Sequence, residues 1–256
     1  MPRDGNPIRV RPGGFRSGAL ALLTVLGGCK PSAQEQAQHD AMLKEEAARR
    51  SEMCRDSFAP GPCPGATPAP LNPDPNAFGL HKWNNRWFKV PREYHSTIGM
   101  TFYWPSKNPS AKGPAKPLGT DWPIELYIRS YDIPPELRGY RAIEAAERDQ
   151  RIIRRETVRP GLDRVEYFPL HPFTGERSSM PVTEYVATER RDPEGQLPIF
   201  RCKKNLSNPS QGGGGAGFMW RDGILVEVLI RGGNLCDDWP ELFDEVTRVL
   251  NLIQKV

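Results

Sequence analysis

Phe218-Met219-Trp220-Arg221-Asp222-Gly223-Ile224-Leu225-Val226-Glu227-Val228-Leu229-Ile230 decides the fold class of this chain. Aromatic and branched aliphatic residues, which suit a pleated and half-buried surface, stand on both sides of an Asp-Gly pair. Asp-Gly is a favoured two-residue hairpin turn, because type I′ geometry needs φ > 0 at both central positions. The stretch therefore predicts an antiparallel hairpin. Upstream, Pro123–Arg129 alternates, with Ile124, Leu126 and Ile128 on one face. Thr97–Trp104 and Trp83–Val90 are rich in strand formers, and Arg164–Phe168, Val182–Thr188 and Ile199–Lys203 are shorter candidates.

Two segments have helical spacing. Tyr140–Thr157 carries Ile143, Ala146, Ile152 and Ile153, with Glu144–Arg148 and Glu147–Arg151 spaced as supporting pairs. The last segment is better defined. Asp237 or Asp238 stands at a capping position, Pro240 suits the first turn, and Leu242, Phe243, Val246, Val249, Leu250 and Ile253 form an apolar stripe. The order of strands, helix, more strands and a final helix predicts an α+β domain: antiparallel sheets with helices packed on one face. Two related halves, each a meander closed by a helix, would satisfy the same order, although no residue-level repeat is visible.

This domain is expected to occupy residues 78–256. Residues 29–77 are polar and then Pro-rich, and they read as a tether. Lys30–Met53 favours helix but its apolar stripe is thin, with Met42, Leu43 and Met53 the main members. Phe58–Asn76 has the proline density of an extended polyproline segment. An arm packed on the domain is the alternative for part of this stretch.

Residues 1–28 read as a signal peptide. Arg9, Arg11 and Arg16 precede Ala19-Leu20-Ala21-Leu22-Leu23-Thr24-Val25-Leu26, an apolar run too short to span a bilayer. It closes on Leu26-Gly27-Gly28-Cys29. This tetrapeptide resembles the lipobox of bacterial lipoproteins. The resemblance implies cleavage before Cys29, a diacylglycerol thioether on its sulfur and an acylated new amino terminus. Lys30 stands where an aspartate would mark inner-membrane retention in that family, which implies the periplasmic face of the outer membrane.

The leader also distorts the charge balance. It holds Arg3, Arg9, Arg11 and Arg16 against Asp4, and without it the formal charge falls from +4 to +1. Nothing in that balance calls for nucleic acid as a partner, which needs a concentrated basic surface. Four further cysteines, Cys54, Cys63, Cys202 and Cys236, allow three disulfide pairings. Proximity favours Cys54–Cys63 and Cys202–Cys236. Zinc is disfavoured, because close Cys or Cys/His pairs are missing, and no cofactor motif appears.

Gly212-Gly213-Gly214-Gly215-Ala216-Gly217 satisfies G-x-G-x-x-G literally. A dinucleotide loop must follow a strand and open a helix, and here a strand follows, so the run reads as a flexible hairpin loop. His39, His81, His95 and His171 are scattered and belong to no hydrolase signature. Asp237-Asp238 reads as a helix start rather than a catalytic pair. Arg148, Arg151, Arg154, Arg155 and Arg159 read as a solvated helix face paired with Glu144, Glu147 and Glu156. The alternative is a docking surface for an acidic partner or lipid headgroups. Trp83, Trp87, Phe102, Tyr103, Trp104 and Trp122 are expected in the core, unless exposed aromatics form a binding patch.

In general plan the chain is similar to immunity lipoproteins that neutralise phospholipase effectors of the type VI secretion system. The shared features are the lipobox, the polar Pro-rich tether, a mixed α+β domain and a Trp-Pro-opened final helix, Asp238-Trp239-Pro240-Glu241-Leu242-Phe243. The resemblance implies a non-enzymatic protein that binds an incoming lipase. A structural or assembly lipoprotein of the envelope, or a periplasmic hydrolase without a recognisable motif, would fit the same plan.

Overall fold

The structure, a computed structural model, describes residues 33–55, 68–96, 99–115, 120–130, 139–171, 174–221 and 223–256. The signal segment, Cys29 and Cys63 lie outside the described residues. Contacts divide the chain at Glu45/Glu46. A helix, α1, covers Ala33–Met53, and its Met42 and Leu43 are exposed, as the thin stripe suggests.

The unit from Glu46 onward holds two antiparallel sheets. The smaller pairs β1 (Phe78–Trp83) with β2 (Arg86–Pro91), and β2 with β12 (Gln254–Lys255). The larger contains β3 (His95–Ser96), β4 (Gly99–Trp104), β5 (Trp122–Ser130), β6 (Ile152–Arg159), β7 (Leu162–Tyr167), β8 (Val182–Ala187), β9 (Ile199–Lys203), β10 (Gly213–Arg221) and β11 (Ile224–Arg231). Its nine strands lie in the order β3-β4-β5-β11-β10-β9-β8-β7-β6. The β10–β11 hairpin is therefore the seam that joins the early strands to the later meander. Its pairing closes on Arg221↔Ile224, and Gly223 takes φ +72°. Asp222 lies outside the described residues. The fold is α+β with antiparallel sheets, as expected.

Two further helices are α2 (Arg141–Arg148) and α3 (Trp239–Leu250). The strand alternation shows that they take opposite faces of the large sheet. Leu162, Ala187 and Phe200 point to the α3 core, whereas Val165, Tyr167 and Val186 pack with Ile143 and Ala146 of α2. The single helical face of the expectation is therefore divided between two faces. On the α3 side, Leu242, Phe243, Val246, Val249 and Leu250 cover Ile124, Leu126, Ile128, Phe218, Val226 and Val228. Each such side chain contributes roughly 1.5–3 kcal/mol by leaving water. Trp239 stacks on Phe200 at 5.0 Å and meets Phe243 at 5.6 Å. A Cys202–Cys236 disulfide, with Cα atoms 5.5 Å apart, ties β9 to the start of α3 as expected. Cys54 is also disulfide-bonded, with its partner outside the described residues.

Three local expectations differ. Trp83–Val90 is broken by Asn84 and Asn85, with φ 46° and 60°, into the β1–β2 hairpin. Asparagine tolerates this conformation better than most residues. The long helix over Tyr140–Thr157 ends at Arg148. Gln150 turns left-handed at φ 53°, and the β-branched Ile152, Ile153, Thr157 and Val158 form strand β6 instead. Glu147 then pairs with Arg155 across elements rather than with Arg151 along a helix. Finally, Asp238 sits at the α3 N-cap position but makes no cap hydrogen bond. It accepts from Trp104 Nε1 at 3.0 Å, while Asp237 accepts from Lys204 at 2.6 Å.

Part of the stretch read as a tether lies against the domain. The Arg55 carbonyl accepts from Asn85 N–H at 2.9 Å, and its guanidinium donates to Asn84 Oδ1 at 2.6 Å. Asn72 Nδ2 donates to the Phe78 carbonyl at 2.9 Å.

Candidate functional site

A trough on the α2 face

The glycine run is not a loop. Gly213, Gly214, Gly215 and Gly217 lie inside β10; all four pair with β11, and the first three also pair with β9. The chain then turns back as β11, so no helix N-terminus meets the run, and the dinucleotide geometry is absent there. Phe218 and Trp220 face α3, so Gly213, Gly215 and Gly217 face the α2 side and leave that face of β10 bare. The result is a trough of about 1100 Å³. Ala142 of α2 stands at its wall, and Leu225, Leu229 and Met219 supply apolar lining.

The trough has a polar floor. Glu184 on β8 is 2% exposed. It accepts from Tyr167 Oη at 2.9 Å and from Arg201 at 2.7 and 3.1 Å. Burial, and then the Glu184 charge, push the Tyr167 phenol well above its ordinary range. Burial opposes the charge on Arg201, yet Glu184 overcomes it and raises the guanidinium pKa. Arg201 remains 58% exposed, so it reaches from the buried carboxylate to the trough surface.

The ends of the trough differ. Gly213 pairs with Lys203 and Arg231, and Gly215 with Arg201 and Leu229. One end is thus cationic. Arg231 is tied to Glu125 at 3.2 Å, whereas Lys203 has no ion pair among the described residues. The other end is apolar and closed, for Met219 pairs with Leu225 and both side chains are buried.

The arginines and the histidines

Of the five arginines read as a solvated helix face, with a docking surface as the alternative, Arg148, Arg151, Arg154 and Arg155 are not brought together on one surface. Arg148 is exposed and pairs with Asp149 at 3.4 Å. Arg151 is buried, at 6% exposure; it donates to the Phe168 carbonyl at 2.5 Å and to Asp149 at 3.1 Å. Reversing its charge would break the fold rather than probe a surface. Arg154 and Arg155 oppose Glu166 and Val165 in turn, so they point to opposite faces of β6. Arg155 bonds Glu147 and the Tyr140 hydroxyl of the α2 side.

His81 and His95 form a pair that joins the small sheet to the edge of the large one. Their ring centroids are 4.7 Å apart, and His81 also stacks on Trp83 at 5.2 Å. Burial, with a contribution from His95, lowers the His81 pKa to about 4. Burial, then Arg92, lowers that of His95. His171 Nδ1 accepts from Thr174 N–H at 3.3 Å, and His39 lies on α1. Among the described residues, no group of three or more His, Cys, Asp or Glu is arranged to hold a metal ion. No described helix is long and apolar enough to cross a membrane.

No family model matches the chain, and no curated protein or solved structure matches it either. The site therefore rests on its own geometry. Sequence reading missed Glu184, although the alternation Val182-Thr183-Glu184-Tyr185-Val186 placed it on the same face as two valines. A charge in that register is a signal for a buried pair.

Proposed function

We propose that this is an exported lipoprotein, held through Cys29 at the periplasmic face of the outer membrane, that binds and neutralises a protein partner. The partner class that its general plan favours is a secreted phospholipase effector. The observation that carries the binding role is the trough that the described residues leave on the α2 face. There a strand gives up side chains over successive positions of a sheet whose other face is fully packed. Anchoring supports the role by raising the local concentration of the site at the membrane that a lipase attacks.

The lipidated protein, tested against a panel of secreted lipases, should form a tight complex with one of them and suppress hydrolysis at one-to-one stoichiometry. Cys29→Ser should move the protein out of the membrane fraction. Turnover of an ester, glycan or peptide substrate by the purified protein would overturn the binding role, and unchanged fractionation of the serine variant would remove the anchor.

A further inference from the structure

Resting on the membrane anchorage proposed above but not on the identity of the partner, we infer that the β9–β10 connection is a second membrane contact. In it Leu206 enters an anionic phospholipid bilayer and Lys203 meets the headgroup phosphates beside it. Three features carry this. The first is exposure. Leu206 is 85% exposed, and apart from Pro209 and Gly212 the rest of residues 204–212 is polar. Single exposed leucines are ordinary on protein surfaces. What sets this one apart is the framework under it and the charge around it.

The second feature is that framework. Asn205 N–H donates to Asn234 Oδ1 at 2.8 Å, and Asn234 Nδ2 donates back to the Asn205 carbonyl at 3.2 Å. Asn205 Oδ1 accepts from Ser207 Oγ at 2.9 Å and from Asn208 N–H at 3.0 Å, while Asn205 Nδ2 donates to Gln211 Oε1 at 3.1 Å. At the far end Gly212 packs on the Gly233 carbonyl oxygen, where a Cβ would stand 2.4 Å away. The Cys202–Cys236 disulfide fastens the same two segments. The backbone on both sides of Leu206 is therefore held in place, and a loop so fixed loses little freedom when it docks.

The third is charge. Residues 195–221 hold Arg201, Lys203, Lys204 and Arg221 and not one acidic residue. By contrast, the exposed Leu71, Ile153, Val158, Leu170 and Met180 each stand within four residues of an aspartate or glutamate. Across space Asp237 meets Lys204 at 2.6 Å and Glu184 meets Arg201 at 2.7 Å, which leaves Lys203 without an ion pair among the described residues. Anionic lipid attracts such a segment, and lysine stems lie along apolar surface while their heads stay with the phosphates. One leucine and one lysine bind too weakly to recruit a protein to a membrane. An anchored domain needs no recruitment, because its tether keeps the bilayer at high effective concentration, and the contact then orients the domain. A protein pocket would have to be shaped to this single leucine; a bilayer receives it without one.

The test uses the full chain purified from membranes and reconstituted into vesicles of about one-third phosphatidylglycerol in phosphatidylcholine with brominated acyl chains. Flotation with the vesicles reports the anchor, and quenching of an added tryptophan by the bromines reports the contact. Leu206→Trp should add emission that the brominated vesicles quench, with circular dichroism and the Cys202–Cys236 disulfide unchanged. Met180→Trp, at a side chain 74% exposed between β7 and β8, should add emission that they spare. Lys203→Glu combined with Leu206→Trp, or vesicles of brominated phosphatidylcholine alone, should lower the quenching at least about twofold. A chain that floats while the tryptophan of Leu206→Trp stays unquenched overturns the contact and leaves the anchor standing. So does equal quenching in Met180→Trp, or quenching indifferent both to Lys203→Glu and to lipid charge. Shielding of the added tryptophan by a bound lipase, with no quenching by the bromines, assigns the loop to a protein and likewise overturns the proposal. A chain that does not float overturns the anchor and the contact together.

Discussion

One strand, β10, belongs to two different regions of the molecule. Toward α3 it sends Phe218 and Trp220 into a dry core that α3, the small sheet and a disulfide close over. Toward α2 it presents Gly213, Gly215 and Gly217, and the same sheet is left open as a trough. Alternation makes this economical, because residues two apart share a face and neighbours do not. Stability and access are therefore separable in this fold, residue by residue. Substitutions on the α3 face should cost stability, and substitutions on the trough face should spare it.

The strongest challenge to that division is Trp239→Ala. Trp239 is fully buried, lies between Phe200 and Phe243, and donates its Nε1–H to the Pro198 carbonyl at 3.1 Å. Removing it empties the centre of the packed face and takes one of two donors from that carbonyl, which keeps the Ala187 N–H at 3.0 Å, at an expected cost of about 3–5 kcal/mol. Chemical denaturation measures it. A loss below about 1 kcal/mol, the range of ordinary surface changes, would mean that the α3 face is not the principal source of stability. Replacing Cys202 and Cys236 together by alanine comes next. The bond spans 34 residues of sequence. Releasing a loop of that size should cost about 2–4 kcal/mol, checked by melting the oxidised and doubly substituted proteins side by side.

How much of this division is legible in the sequence depends on the kind of signal. The packed face is legible because it is periodic. The alternation in Pro123–Arg129, the hairpin at Phe218–Ile230 and the stripe from Leu242 to Leu250 all fall where their spacing places them, whereas Ile253 lies past the helix end and is buried from there. The disulfide from Cys202 to Cys236 is legible from proximity. The open face is not, because glycine carries no periodicity of its own. Gly212–Gly217 reads as a loop until β9 and β11 are seen to pair with it. Arg151–Arg159 was misleading for another reason. Helix propensity and Glu/Arg spacing are local, whereas the pairing of Ile152–Arg159 with Leu162–Tyr167 depends on the turn at Gly161, φ +80°, that follows it. Tertiary pairing overrode a marginal local preference.

A pH titration sharpens the comparison at the seam of the two sheets. His81 is buried against Trp83 and His95, and its pKa falls from 6.5 to about 4 in the fold. Above pH 6.5 it is neutral in both folded and unfolded chains and contributes no pH dependence. As pH falls below 6.5 the unfolded chain takes up the proton first, so stability declines. The decline levels off below about pH 4, where the folded state is protonated too, at a total of about 3 kcal/mol. His95, shifted in the same direction, adds to the loss. Denaturant midpoints at pH 7.5 and 4.5 test this, and His81→Phe should flatten the slope over that window. An unchanged slope in the variant would assign the acid sensitivity to other groups.

The smallest effect is also the most discriminating. Gly217→Val places a β-branched side chain in the middle of a strand, at a position where, among the described residues, its Cβ meets nothing closer than Leu225 Cδ1 at 4.0 Å. On the packed face a new side chain would be forced into occupied volume and would destabilise. On the trough face it meets no described backbone, restricts the unfolded chain and suits the pleat, so stability should rise by about 0.4–1 kcal/mol. The thermal midpoint of the variant settles the sign. A fall of more than about 1 kcal/mol would show that the glycine is there for the fold, and the two faces would then differ in shape but not in purpose. A small rise would leave Gly217 as a residue that the folded domain does better without, and its retention would have to be explained by what the trough receives.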